Sequence, residues 1–144
     1  MKLHDAAREL IGSGANATLV TLNPDGSPQV SLVWVALQPS PDHPDTEDEL
    51  VVGHLTQHKK VRNIRRDPRV ALTIIGDGPA NAMRPYLSVT GTARIVEGGA
   101  PELLRSLAAT LTSPDAGFPP EDAPPGYLTR IKVDKVGGVG PWAQ

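Results

Sequence analysis

Two apolar runs, Ala17–Leu22 and Pro28–Leu37, flank Asn23-Pro24-Asp25-Gly26, and no other stretch of the chain constrains its fold as tightly. Proline presets its own φ, aspartate bonds nearby backbone, and glycine supplies positive φ at little steric cost. Pro-Asp-Gly between two such runs therefore predicts a β-hairpin. Further strand-like runs follow at Glu49–Leu55, Arg69–Ile75, Tyr86–Val96 and Thr129–Val136. The last alternates cleanly, which predicts a strand with one wet face, as antiparallel sheets allow.

Helical spacing is confined to short segments. Leu3, Ala6, Ala7, Leu10 and Ile11 recur at helical intervals and stop at Gly12-Ser13-Gly14. Ala100–Leu111 places Leu103, Leu104, Leu107, Ala108 and Leu111 on one face. A third helix is predicted over Gln57–Arg66, capped by Thr56 and ended at Asp67-Pro68, where the residue before proline is pushed out of helical geometry. A Gly/Pro-containing loop joins Ile75 to Tyr86, and Ser113–Gly126, with five prolines, reads as a surface excursion. About six antiparallel strands with a few short helices predict a mainly β chain: a small barrel closed by Greek-key connections. At 144 residues, 1–144 reads as a single domain.

Composition removes several functions. The absence of cysteine excludes a disulfide framework, a thiolate metal site and a cysteine nucleophile. The four histidines, His4, His43, His54 and His58, are scattered and form no metal motif. No Ser/His/Asp triad or paired-carboxylate site stands out. A net charge of -2 and five aromatic residues argue against a nucleic-acid binder. With no signal-like N-terminus and no apolar run approaching a membrane span, the expected location is the cytoplasm.

Charge is instead concentrated locally. Six of the 14 Lys and Arg residues fall within Lys59–Val70, against the one acid Asp67. Cations in a first helical turn oppose the helix dipole. His58, Lys59 and Lys60 make more sense there if an anion shares the position, held by free backbone N–H groups and the Lys60 ammonium. Spacing alone leaves a solvated basic helix equally open. Upstream, Pro39–Glu49 carries Asp42, Asp45, Glu47, Asp48 and Glu49, and its loop Pro39–Asp48 reads as a solvated insertion rather than a substrate-side rim.

Four segments in order give a resemblance: Leu19–Val35 with its Pro-Asp-Gly turn, Lys60–Leu72, Tyr86–Ala93 and the ending Gly138-Val139-Gly140-Pro141-Trp142. Together they resemble the pyridoxamine 5'-phosphate oxidase-like split-barrel superfamily, and within it the small reductases that use the deazaflavin coenzyme F420. The resemblance implies a split β-barrel forming a homodimer, with a flavin or deazaflavin in a groove between subunits. Lys60 matches the family's phosphate-binding lysine, and Asn63 belongs to the same motif, either as a contact or as a brace of the turn. Gln29, Ser31 and Val33 share one face of their strand. That face is implied to lie against the cofactor ring system, the alternative being a polar outer face. The backbone of Gly53, His54 and Leu55 is implied to approach the cofactor's side chain, although His54 also suits a plain strand end. Where many relatives carry arginine two positions before the lysine, this chain has His58, with Lys59 as a possible compensation.

Arg84 and Tyr86 are candidates to reach the groove from the partner subunit. Trp142, beside Pro141, is placed either near the cofactor or as a lock on the C-terminus. The leading function is an F420-dependent reductase delivering a hydride to a conjugated small molecule. The alternatives are an FMN-binding oxidoreductase of the same superfamily and a non-catalytic cofactor-binding protein. No residue stands out as the proton donor.

Overall fold

A computed structural model describes residues 1–78 and 81–143. Its elements, in chain order, are α1 (Asp5–Ile11), β1 (Ala15–Leu22), β2 (Pro28–Pro39), β3 (Asp48–His54), α2 (Lys59–Arg66), β4 (Arg69–Ile75), β5 (Tyr86–Glu97), α3 (Ala100–Leu111) and β6 (Tyr127–Val139). The strands close an antiparallel barrel in the order β1-β2-β3-β6-β5-β4, with the crossover from β3 to β4 made through α2. The predicted mainly β barrel with short helices is the observed architecture. Within the loop 76–85, residues 79 and 80 lie outside the described residues, as does residue 144 of the expected 1–144 domain. No helix among the described residues is long and apolar enough to cross a membrane.

The Pro-Asp-Gly turn sets the first register. Asn23 accepts the Gly26 N–H at its carbonyl, Asp25 Oδ1 accepts the Ser27 N–H, and Leu22 pairs with Pro28. From there every second residue of β1 (Ala15, Ala17, Leu19, Thr21) turns inward, opposite Val35, Val33, Ser31 and Gln29 of β2. Leu50, Leu72, Ile74, Leu87, Val89 and Ile131 complete the barrel core. Ala7 and Ile11 of α1 join the same core, and α3 lays Leu103 and Leu107 on Val51 outside the barrel. The long β5 and β6 curl around a register shift at Thr90/Gly91. A Cβ on Gly91 would lie 2.5 Å from the Lys132 carbonyl oxygen, so the bulge requires glycine.

One seam is short. Residues 28–35 of β2 pair with β1, but only Ala36–Pro39 pair with β3, opposite Asp48–Val51. Continuing that register would set Trp34 against Gly53 and Val33 against His54, yet neither pair forms. The two strands diverge there, and the barrel is split.

Two sequence expectations are corrected. α2 begins at Lys59 rather than Gln57, and its N-cap is His58, with extended backbone and no side-chain cap bond. Thr56 Oγ1 lies beside the His58 ring instead of capping the helix, because His58 is the residue whose backbone makes the turn. The acidic segment is not wholly a solvated insertion. Asp42 and Asp45 are exposed, but Asp48 and Glu49 are buried at the start of β3. Asp48 accepts from the Leu3 N–H and pairs with Arg8, while Glu49 pairs with Arg94 and Arg130, both at 2.7 Å. These pairs hold both carboxyls below their usual range although burial opposes the shift.

Candidate functional site

The split between β2 and β3 opens into a groove of about 290 Å³. Leu32, Val33 and Trp34 form one side, Val52, Gly53 and His54 the other, with His58 and Lys60 from the start of α2 and Leu104 and Phe118 across the top. The groove follows from the register: it occupies the positions where the β2–β3 ladder is missing. Its lining is apolar and aromatic at the Trp34–Phe118 end, where the two rings meet edge to face at 6.0 Å and 84°. Its ionisable lining is basic, with no carboxylate among the residues that form it.

Each basic group there is affected by burial. His54 is 2% exposed and its Nε2 lies 2.7 Å from Thr129 Oγ1. Burial, helped by the nearby charges of Lys60 and His58, pushes its pKa down to about 3, so the ring is neutral at neutral pH. His58 is also shifted down, by burial first and then by Lys60 and Arg62. Burial lowers the Lys60 ammonium as well. Lys60 has no ion pair or side-chain hydrogen bond among the described residues, unlike the three arginines that follow it on α2. Arg62 donates to the Gln57 carbonyl at 2.6 Å, Arg65 bonds Gln57 Oε1 and sits 5.2 Å over the Tyr127 ring, and Arg66 reaches the Leu22 carbonyl. A half-buried cation at an uncapped helix start, facing a groove without carboxylates, is suited to an anion.

The groove brings together Val33, Gly53, His54, His58 and Lys60 of the expected set. Gln29 and Ser31 share the inward face with Val33 but lie outside the lining. Gln29 Oε1 accepts from Thr21, while Ser31 Oγ is a buried polar atom with no partner. Leu55 borders a separate hollow with Tyr127, and Lys59 is exposed on the side of the Asp25 turn, where its charge helps lower that carboxyl. Asn63 is buried, donating Nδ2 to Thr21 Oγ1 and Asn23 Oδ1 and accepting from Arg66. Its amide braces α2 against the hairpin. Arg84 donates to the Gly76 carbonyl, away from the groove. Trp142 is in the main core and donates Nε1 to the Tyr86 carbonyl at 2.9 Å, so within the chain it locks the C-terminus. Sequence reasoning missed Leu32, Trp34, Val52, Leu104 and Phe118. Leu32 and Trp34 had a readable signal, as large apolar residues on the strand face opposite the core.

Comparison with known proteins agrees with this fold. A sequence profile of the pyridoxamine 5'-phosphate oxidase family matches residues 3–140. The chain belongs to this family. Among solved structures it is similar to an F420 reductase, at 28% identity over 90% of this chain and 94% of that one, with a TM-score of 0.64. A conserved hypothetical protein from Mycobacterium tuberculosis is similar at 25% identity, covering 96% and 89%, with a TM-score of 0.65. The heme storage protein HutZ from Vibrio cholerae, at 18% identity over 97% and 96% and a TM-score of 0.58, shares the fold. No curated protein matches the chain. Members of this family bind flavin or F420-type cofactors. Among the described residues no cluster of side chains is placed to hold a metal ion.

Proposed function

We propose that this protein is a cytoplasmic F420-dependent oxidoreductase that delivers a hydride to a conjugated small-molecule acceptor. The observation that carries the reading is Lys60: a half-buried ammonium with no carboxylate partner, at the open start of α2 and on the lining of the split. The F420 reductase similarity favours deazaflavin over flavin.

In this reading Lys60 and the free N–H groups of α2 hold the cofactor's phosphate. His54 stays uncharged, so it adds no competing cation and forms a fixed wall through Thr129. Val33, Val52 and Leu104 exclude water from the ring. A reduced deazaflavin bound there supplies a hydride. FMN is the second reading, because a phosphate beside a ribityl chain suits Lys60 equally.

The site is proposed to be completed by a second copy of the chain. A groove of this size, open along the seam, encloses only part of a flavin-sized ligand. Leu32 is 74% exposed and belongs both to the groove and to the outer barrel face. That face continues through Val30, Ile75, Tyr86 and Val139, all exposed, with Ile75, Tyr86 and Val139 in register across β4, β5 and β6. An exposed apolar sheet face next to a half-formed pocket supports a twofold homodimer. Titration of the purified protein with F420 and with FMN tests the function. Tighter binding of F420, with reduction of a conjugated acceptor by its reduced form, is expected, and binding of neither would overturn the reading.

A further inference from the structure

We propose that Phe118 determines the size of the ligand this groove accepts, as a movable aromatic partition between it and a second hollow behind α3. That hollow, of about 220 Å³, is lined by Arg105, Ala108, Pro114 and Pro119 among others. Phe118 is the one residue that lines both spaces. Phe118 therefore stands at their common boundary.

The geometry suits a gate made by a side chain. Gly117 turns the backbone with φ 68, and Pro119 on the other side is buried, so the chain is anchored around Phe118. Phe118 itself is 41% exposed, and exposed side chains change rotamer freely on a fast timescale. Its edge-to-face contact with Trp34 holds the ring over the groove. A flat conjugated ring stacking on Trp34 competes for that contact, and rotation of Phe118 toward the second hollow extends the space available. The class of ligand follows from the two ends: a planar conjugated system at Trp34 and Phe118, joined to an anionic group within reach of Lys60. This rests on the groove being the ligand site proposed above, and adds the residue that limits the size of the ligand it admits.

The test uses isothermal titration of the full chain with two planar anionic probes, naphthalenesulfonate and the larger anilinonaphthalenesulfonate. The unsubstituted protein is expected to favour the smaller probe. Phe118→Ala should improve the larger relative to the smaller by about tenfold, since one more ring gains apolar burial, and Phe118→Trp should shift the ratio the other way. Lys60→Ala should weaken both probes alike. An unchanged ratio across the Phe118 variants would overturn the gate while leaving the cofactor reading intact. No binding of either probe, or no effect of Lys60→Ala on either, would overturn the gate because the probes would not occupy this groove. The F420 and FMN titrations then decide the cofactor reading separately.

Discussion

His54 Nε2 and Thr129 Oγ1 lie 2.7 Å apart in the interior, one step beside the Val52–Thr129 pairing of β3 with β6. The bond ties the last residue of β3 to β6 where β3 has lost its other neighbour, β2. It also fixes an imidazole that burial keeps neutral.

Acid should therefore weaken the fold through His54. Its folded pKa of about 3 lies below the ordinary value of 6.5, so above pH 6.5 neither state is protonated and the group adds no pH dependence. Below that the unfolded chain takes up a proton that the native chain refuses, and stability falls by about 1.5 kcal/mol between pH 6.5 and pH 5. His58 adds a smaller effect of the same sign. The depressed carboxyls of Asp48 and Glu49 lose stability only at more acid pH, near the unfolded carboxylate range. Urea unfolding at the two pH values should show most of the slope disappearing in His54→Gln and persisting in His58→Gln.

Asn63→Ala should destabilise the protein by about 2 kcal/mol, because Asn23 Oδ1 and Arg66 lose buried or half-buried partners. Under conditions where both proteins are fully folded, cofactor affinity should change little, since the amide is occupied within the chain. A large affinity loss without a stability loss in calorimetry would make Asn63 a ligand contact instead of a brace.

The sequence carried the parts of the fold that depend on neighbours. Pro-Asp-Gly announced the hairpin and its register, and alternation announced the strands, although β6 runs on through Gly137 and Gly138 to Val139. Lys60 was legible because a cation at a helix start is locally unfavourable and asks for a reason. Long-range partners were not legible. Nothing near Asp48 shows that Arg8 will reach it from α1, so a buried carboxylate with its ion pair read as part of a solvated loop. Phe118 was hidden for the same reason: its proline-rich surroundings signal a loop, and only folding places that loop over Trp34.

Assembly should depend on the outer face of the sheet. Leu32→Asp or Ile75→Asp puts a carboxylate into a face that the homodimer would desolvate, while neither side chain is needed in the barrel core. Light scattering across a dilution series is expected to give a dimer for the unsubstituted chain and a monomer for either variant, with cofactor binding lost alongside. A monomer that still binds cofactor tightly would remove the second subunit from the site.

Lys60 and Lys59 should separate the phosphate from the rest of the cofactor. Lys60→Ala removes a charge-assisted contact, so affinity for both F420 and FMN should fall roughly tenfold to a hundredfold. The two cofactors differ in the anionic lactyl-glutamate tail that F420 carries, and that tail needs cations beyond the phosphate. The structure narrows the choice. Arg66 is turned to the Leu22 carbonyl, Arg65 is stacked on Tyr127 and Arg62 donates to the Gln57 carbonyl, which leaves Lys59 beside Lys60 and His58. Exposed charges such as Lys59 are screened by salt over about 10 Å at 0.1 M, so F420 affinity should fall more steeply with ionic strength than FMN affinity. Lys59→Ala should weaken F420 several-fold, as expected for one exposed ion pair, and leave FMN nearly unchanged. Equal salt slopes for the two cofactors, together with an equal response to Lys59→Ala, would remove tail recognition from α2 and favour FMN as the working cofactor.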